Sequence, residues 1–168
     1  MPGTAKPKFA AILVELRKHQ AEFIVVGGIA AWLEGVPGNT IDLDVVHSRE
    51  PDNIARLLAA LDSLDATYRT RPELALKPDL SHLASPGHQL LMTRFGPLDV
   101  LGMIGHSRGY DDLLPHTHEL EVGEGLRVRV LDLETQIAVK EEVAGERDLA
   151  VLPIMRRTLE EKRRRRTS

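Results

Sequence analysis

Two aspartates separated by a single residue, Asp42 and Asp44, interrupt a short apolar run, Ile41–Val46. In a strand, residues two apart project from the same face, so these carboxylates stand side by side. An unpaired carboxylate is costly to bury and usually takes up a proton or finds a partner. Adjacent carboxylates repel unless a proton or cation lies between them. A hard divalent cation such as Mg²⁺ is commonly held by one or two carboxylates together with substrate phosphates. Alone, a D-x-D pair reads better as the solvated face of a strand. Its company gives it meaning.

Gly27-Gly28 is the first companion, placed between the compact strand Phe23–Val26 and an apolar stretch of helical character from Ile29 to Glu34. A glycine pair there lets a ligand approach the backbone closely, and a helix start offers unpaired N–H groups to an anion. It reads equally as a tight turn. VVGGIAAW does not satisfy G-x-G-x-x-G, which makes a dinucleotide fold a poor rival, and no Walker-type G-K-[ST] is present. Asp99, in the later apolar stretch PLDVLG, is the second companion. Carboxylates from two neighbouring strands can hold a pair of metal ions roughly 3.5–4 Å apart. Asp99 reads as readily as a polar residue beside the Gly96-Pro97 turn.

The elements that must position these groups follow from period and punctuation. Lys8–Gln20 has helical spacing of Phe9, Ile12, Leu13 and Leu16. Gly35, Pro37 and Gly38 end the helix after the diglycine, and Glu50-Pro51-Asp52 opens another through about Leu64. Residues 70–88 carry little periodicity and read as a loop, with a short strand near Thr67–Arg69. Gln89–Phe95 and Leu98–Met103 flank Gly96-Pro97 as a hairpin, and Glu119–Val122 with Leu126–Leu131 form another. Leu133–Val143 and Asp148–Arg163 close the chain as helices, with Pro153 able to kink or delay the second. The order predicts an α/β or α+β fold around a mixed sheet with flanking helices.

Bulk composition narrows the class. The chain has 168 residues, 42% hydrophobic and 28% charged, as expected of one globular domain. It divides into an N-terminal helix (1–20), a sheet core (21–131) and C-terminal helices ending in a basic tail (132–168). No cysteine is present, which excludes disulfides and thiolate metal sites. A net charge of −3 gives no global pull toward nucleic acid or anionic membrane. MPGTAKPKFA lacks the apolar core of a signal peptide, and no apolar run reaches membrane-spanning length, so a cytoplasmic location is expected.

Gly27-Gly28, Asp42-x-Asp44 and Asp99, in that order, resemble the DNA polymerase β-like nucleotidyltransferase superfamily. Thr40–Asp44 as T-x-D-x-D, Leu98–Gly102 as L-D-V-L-G, and LETQIAVKEEVAGERDLAVL (Leu133–Leu152) resemble its small bacterial AbiEii-type branch. The resemblance implies a nucleotidyltransferase fold and a Mg²⁺-dependent enzyme, with two ions, moving an NMP from an NTP to a hydroxyl acceptor. Asp42, Asp44 and Asp99 would be catalytic and metal-binding. Gly27, Gly28, Thr40, Lys140 and Asp148 would contact the nucleotide. The implied acceptor is RNA, the tRNA 3′ end included, or a protein, in a toxin–antitoxin setting with a cognate antitoxin; a small molecule such as an aminoglycoside is also open. Relatives often carry Arg where this chain has Gly38, which keeps a second reading alive: a weak or inactive module of the same fold that binds nucleotide or a partner protein.

Other candidates have plainer readings. Lys140 could be a snorkelling surface lysine, and Asp148 a first-turn helix acid. His116 and His118 lack a third metal ligand, while His47, Ser107, Arg108 and Tyr110 read as strand-end or loop residues. The tail EEKRRRRTS suits the end of a solvated helix, though it could also meet RNA phosphates. A phosphoesterase would need more histidine or carboxylate ligands than the sequence supplies.

Overall fold

Side chains that alternate between two faces build a seven-stranded mixed sheet. The computed structural model describes residues 8–38, 42–123 and 125–167, save the side chains at 147 and 148. Its strands are β1 (Phe23–Val26), β2 (Leu43–His47), β3 (Thr67–Tyr68), β4 (His88–Thr93), β5 (Gly96–Leu101), β8 (Thr117–Glu121) and β9 (Arg127–Leu131), in the order β3-β4-β5-β2-β1-β9-β8. β2 runs parallel to β5 and antiparallel to β1; β1 runs parallel to β9. A separate two-stranded ribbon joins β6 (Met103–Ile104) to β7 (Arg108–Gly109).

One face of the sheet carries Val25, Leu43, Val45, Leu91, Leu98 and Val100 into a closed core with helices α1 (Phe9–Lys18) and α3 (Pro51–Ser63). Ile12, Leu13 and Leu16 of α1 and Leu57 of α3 are fully buried there, as helical spacing requires. Asn53 fixes the β1–β2 register from outside: its amide accepts from Glu22 N–H at 2.7 Å and donates to the carbonyls of Glu22 and Ser48. On the opposite face Ile24, Val26, Val46, Leu101 and Leu131 meet Leu113 of α5 (Tyr110–Leu113). The acids lie beside this cluster, with Val26 directly opposite Asp44.

Helix α2 (Gly27–Leu33) follows β1 directly, and α6 (Leu133–Glu142) and α7 (Glu146–Thr167) pack against it through Ala31, Leu133, Ile137, Leu152 and Met155. Pro153 lies inside α7, and the helix runs through it without the main-chain donor that position would otherwise supply. Near the far end of α7, Lys162 pairs with the buried carboxylate of Glu34, which also meets His118 Nε2 at 2.8 Å. The tail beyond it makes surface pairs, Arg163 with Glu134 at 3.3 Å and Arg164 with Glu160 at 3.7 Å.

Two expectations need correction. The first hairpin turns at Arg94-Phe95, not at Gly96-Pro97: Gly96 pairs with Thr93 and Pro97 with Met92. Thr93 closes that turn, donating from Oγ1 to Gly96 O at 2.8 Å and accepting from Phe95 N–H at 3.1 Å. Pro97 is tolerated because pairing to β2 begins at Leu98. The stretch read as loop contains a helix, α4 (Leu80–Ala84), capped reciprocally by Asp79 and His82 and anchored by the buried Leu83. Among the described residues, no helix is long and apolar enough to cross a membrane.

Candidate active site

Parallel pairing sets Asp44 directly beside Asp99, in register with it. The same row continues across the sheet. Val26 stands opposite Asp44, Leu90 opposite Asp99, and Arg69 donates its N–H to Leu90 O at 3.1 Å. Leu43, Val45, Leu98 and Val100, which alternate with these acids, are fully buried on the other face. That arrangement explains acids in apolar strands: every second residue belongs to the core, and those between line an open end of the opposite face.

Asp44 is the most perturbed group in the site. Burial first, then its hydrogen bond with Asp99 and the charges of Asp99 and Asp42, push its carboxyl up to about 8, against a smaller pull from Arg69. Its Oδ1 is buried and has no hydrogen-bond partner among the described residues. Asp42 immediately precedes β2 and acts on Asp44 through its charge. The guanidinium of Arg69 pairs with Asp99 Oδ1 and donates to Leu91 O at 3.0 Å.

Gly27 has a positive φ of +70°, and a β-carbon on it would lie 3.0 Å from Asp44 Cγ and nearer still to Oδ2. Only glycine leaves that carboxylate its place. Gly27 and Asp44 line a cleft of about 310 Å³ with Val26, Gly105, Lys140 and Val143, within the range of small-ligand sites. Its rim at Gly105–Arg108 is tied down by Glu142 at the end of α6. Glu142 Oε2 accepts from His106 N–H at 2.9 Å, and Oε1 accepts from Arg108 at 2.9 and 2.5 Å. The backbone bond from His106 and then the Arg108 guanidinium hold the Glu142 carboxyl below its ordinary value.

The structure therefore brings Gly27, Asp44 and Lys140 into one cleft, with Asp99 beside Asp44 and Asp42 next to them in sequence. Gly28 is exposed at the start of α2. Thr40 lies outside the described residues, and of Asp148 only the helical backbone in α7 is described. The glycine of L-D-V-L-G, Gly102, is a packing residue: a β-carbon there would come 2.7 Å from Pro86 Cα. Arg108 belongs to the Glu142 tie, His118 to Glu34, and His47 is buried with Nδ1 3.1 Å from Ser48 O. Arg69 was not singled out from sequence. Its signal is an arginine one step beyond a two-residue strand, which means nothing until the strand order is known.

Whether these residues suit a cation can be judged from the donors themselves. Hard carboxylate oxygens in register, one buried without a partner, fit a divalent ion. Among the described residues, no group of three or more His, Asp or Glu closes to metal-site spacing.

The fold is that of the nucleotidyltransferases, and two solved structures share it along almost their whole length. One is a candidate nucleotidyltransferase from Thermotoga maritima, with a TM-score of 0.57 at 14% identity, over 95% of this chain and 98% of that one. The other is the lincosamide antibiotic adenylyltransferase LnuA, solved with lincomycin bound, with a TM-score of 0.60 at 11% identity, over 91% of this chain and 97% of that one. At such identity the likeness is one of architecture. No protein-family profile matches the sequence, and neither does any curated protein sequence.

Proposed function

We propose that this protein is a Mg²⁺-dependent nucleotidyltransferase that moves an NMP from an NTP to a hydroxyl acceptor. The carrying observation is the registered pair Asp44–Asp99, with its unpartnered Oδ1, beside a cleft that also contains Gly27 and Lys140. In this reading Asp42, Asp44 and Asp99 hold two Mg²⁺ ions. With Mg²⁺ bound, the acceptor hydroxyl loses its proton more readily and the charge of the departing pyrophosphate is offset.

The chain's own groups do the rest. Gly27 leaves room for the Asp44 carboxylate, and the backbone at Gly27 and Gly28 receives the terminal phosphates together with Thr40. Lys140 supplies a point charge to phosphate oxygens, with Asp148 assigned to the nucleotide by resemblance alone. Asp99 accepts the acceptor's proton. The acceptor oxygen bonds to the α-phosphorus as the α–β phosphoanhydride bond breaks and pyrophosphate leaves.

The AbiEii-type resemblance supports RNA, tRNA in particular, or a protein as acceptor, in a toxin–antitoxin pair. The architectural likeness to an adenylyltransferase carrying lincomycin supports a small-molecule acceptor instead. A second reading, a nucleotide- or partner-binding module without turnover, is supported by Gly38 standing where relatives often carry Arg. Purified protein, Mg²⁺ and each labelled NTP decide between them. Transfer with pyrophosphate release, lost in Asp44→Asn, supports the enzyme; nucleotide binding without turnover supports the module. No metal-dependent binding of any NTP would sink the enzyme.

A further inference from the structure

We infer that Arg69 is the internal counterion of the acid pair, occupying the side of Asp99 that a divalent cation needs and yielding it when the cation binds. This rests on the metal-binding reading of Asp42, Asp44 and Asp99 and goes beyond it by adding a residue that opposes the ion.

The geometry is specific. Arg69 follows β3 at the sheet edge, and its N–H bond to Leu90 O aligns it with Leu90, Asp99 and Asp44 in one cross-strand row. Its guanidinium crosses Leu90 to reach Asp99 Oδ1, while Leu91 O takes a further donor at 3.0 Å. The pair is partly buried, with side chains 25% and 14% exposed, so solvent and salt screen it less than a surface bridge. The neighbouring β3 side chain is braced as well: Tyr68 donates to Gln89 Oε1 at 2.5 Å and meets the His82 ring edge-on.

An arginine stays charged under all ordinary conditions. With Arg69 on Asp99, one negative charge of the site is already neutralised, and a cation entering beside Asp44 meets a fixed positive neighbour. The same guanidinium, once released, offers a planar fork of donors suited to phosphate oxygens. Arg69 is therefore a positioning residue that disfavours the bare ion and loses that opposition when ion and polyphosphate arrive together.

The test measures Mn²⁺ alone, as the loss of its free electron paramagnetic resonance signal, in wild type, Arg69→Ala, Arg69→Gln and Arg69→Lys. Far-UV circular dichroism confirms folding, and the glutamine variant serves if the alanine variant does not fold. Removing the charge should tighten Mn²⁺ binding about tenfold or more, while lysine, which keeps it, should stay near wild type. Affinity for Mn²⁺–NTP should rise less than affinity for Mn²⁺ alone; a purely structural arginine would not split the two. If wild type binds Mn²⁺ and the neutral variants bind it no better, the inference fails and the metal site stands. If only the neutral variants bind, the inference holds in its strongest form. If none binds, the metal site itself is wrong and the counterion with it.

Discussion

Gly27 and Asp44 compete for one small volume. The backbone at Gly27 turns through a left-handed conformation, and the Asp44 carboxylate fills the space where a side chain would begin. The diglycine and the D-x-D strand are thus two halves of one contact, made where β1 ends opposite Asp44.

Gly27→Ala should lose at least about 1 kcal/mol from the left-handed φ alone, with the clash against Asp44 adding to it. In a urea titration, the double variant Gly27→Ala/Asp44→Ala should cost less than the two single changes together, because truncating Asp44 removes the oxygen that the new methyl strikes. Strict additivity would show that the two residues do not share the space.

Asp44 should make the metal-free protein less stable as pH rises. Its folded pKa, raised to about 8, exceeds the ordinary 3.8, so between those values the folded state binds the proton more tightly than the unfolded chain does. Stability contributed by the protonated form is complete below about pH 4 and is lost as pH climbs to about 8. Melting temperatures across that window should fall for the wild type relative to Asp44→Asn, which carries no titrating group. Parallel curves would refute the shift.

Glu142→Ala should loosen the cleft rim without unfolding the protein. Its contacts with His106 and Arg108 hold the Gly105–Arg108 turn, so amide exchange at residues 104–108 should accelerate while β1, β2 and β5 keep their protection. Because its carboxyl is held below the ordinary value, the tie persists at neutral pH and is lost as pH falls through the lowered pKa. Unchanged exchange in that turn would count against the anchoring role.

Lys162→Ala should destabilise the fold by about 1–3 kcal/mol, since it removes the lysine paired with the buried Glu34 and leaves that carboxylate in contact with His118. Arg164→Ala, whose pair with Glu160 is exposed, should change stability by less than about 0.5 kcal/mol. Thermal melts of the two variants make the comparison, and equal losses would contradict the difference in burial.

The sheet strands were legible wherever alternation was clean. Leu43-Asp44-Val45 and Leu98-Asp99-Val100 announce two faces by period alone, and the β8–β9 hairpin is marked by its glycine turn. The long helices followed from apolar spacing and from Pro51 at the start of α3. Less legible was anything decided by neighbours distant in sequence. The order β5-β2-β1-β9 depends on which strands meet after a crossover, so the register of Asp44 with Asp99 could be supposed but not read. Arg69 was invisible for the same reason. α4 was missed because five residues span little more than one turn, too few for an apolar repeat to show, and its stability comes from the Asp79–His82 cap and from Leu83 finding the core. The turn at Arg94-Phe95 was misjudged because Gly-Pro outranks it as a local signal, although Thr93 supplies the closing hydrogen bonds.

β2 and β5 lie side by side as parallel partners, and the chain between them must first lay down α3, β3, α4 and β4. A nascent polypeptide that stops short of β5 has one acidic strand and no opposing carboxylate. Long-range pairings of this kind close slowly, after the local helices have formed. An unfinished or half-folded copy would lack the paired carboxylates, which come together only with closure of the sheet.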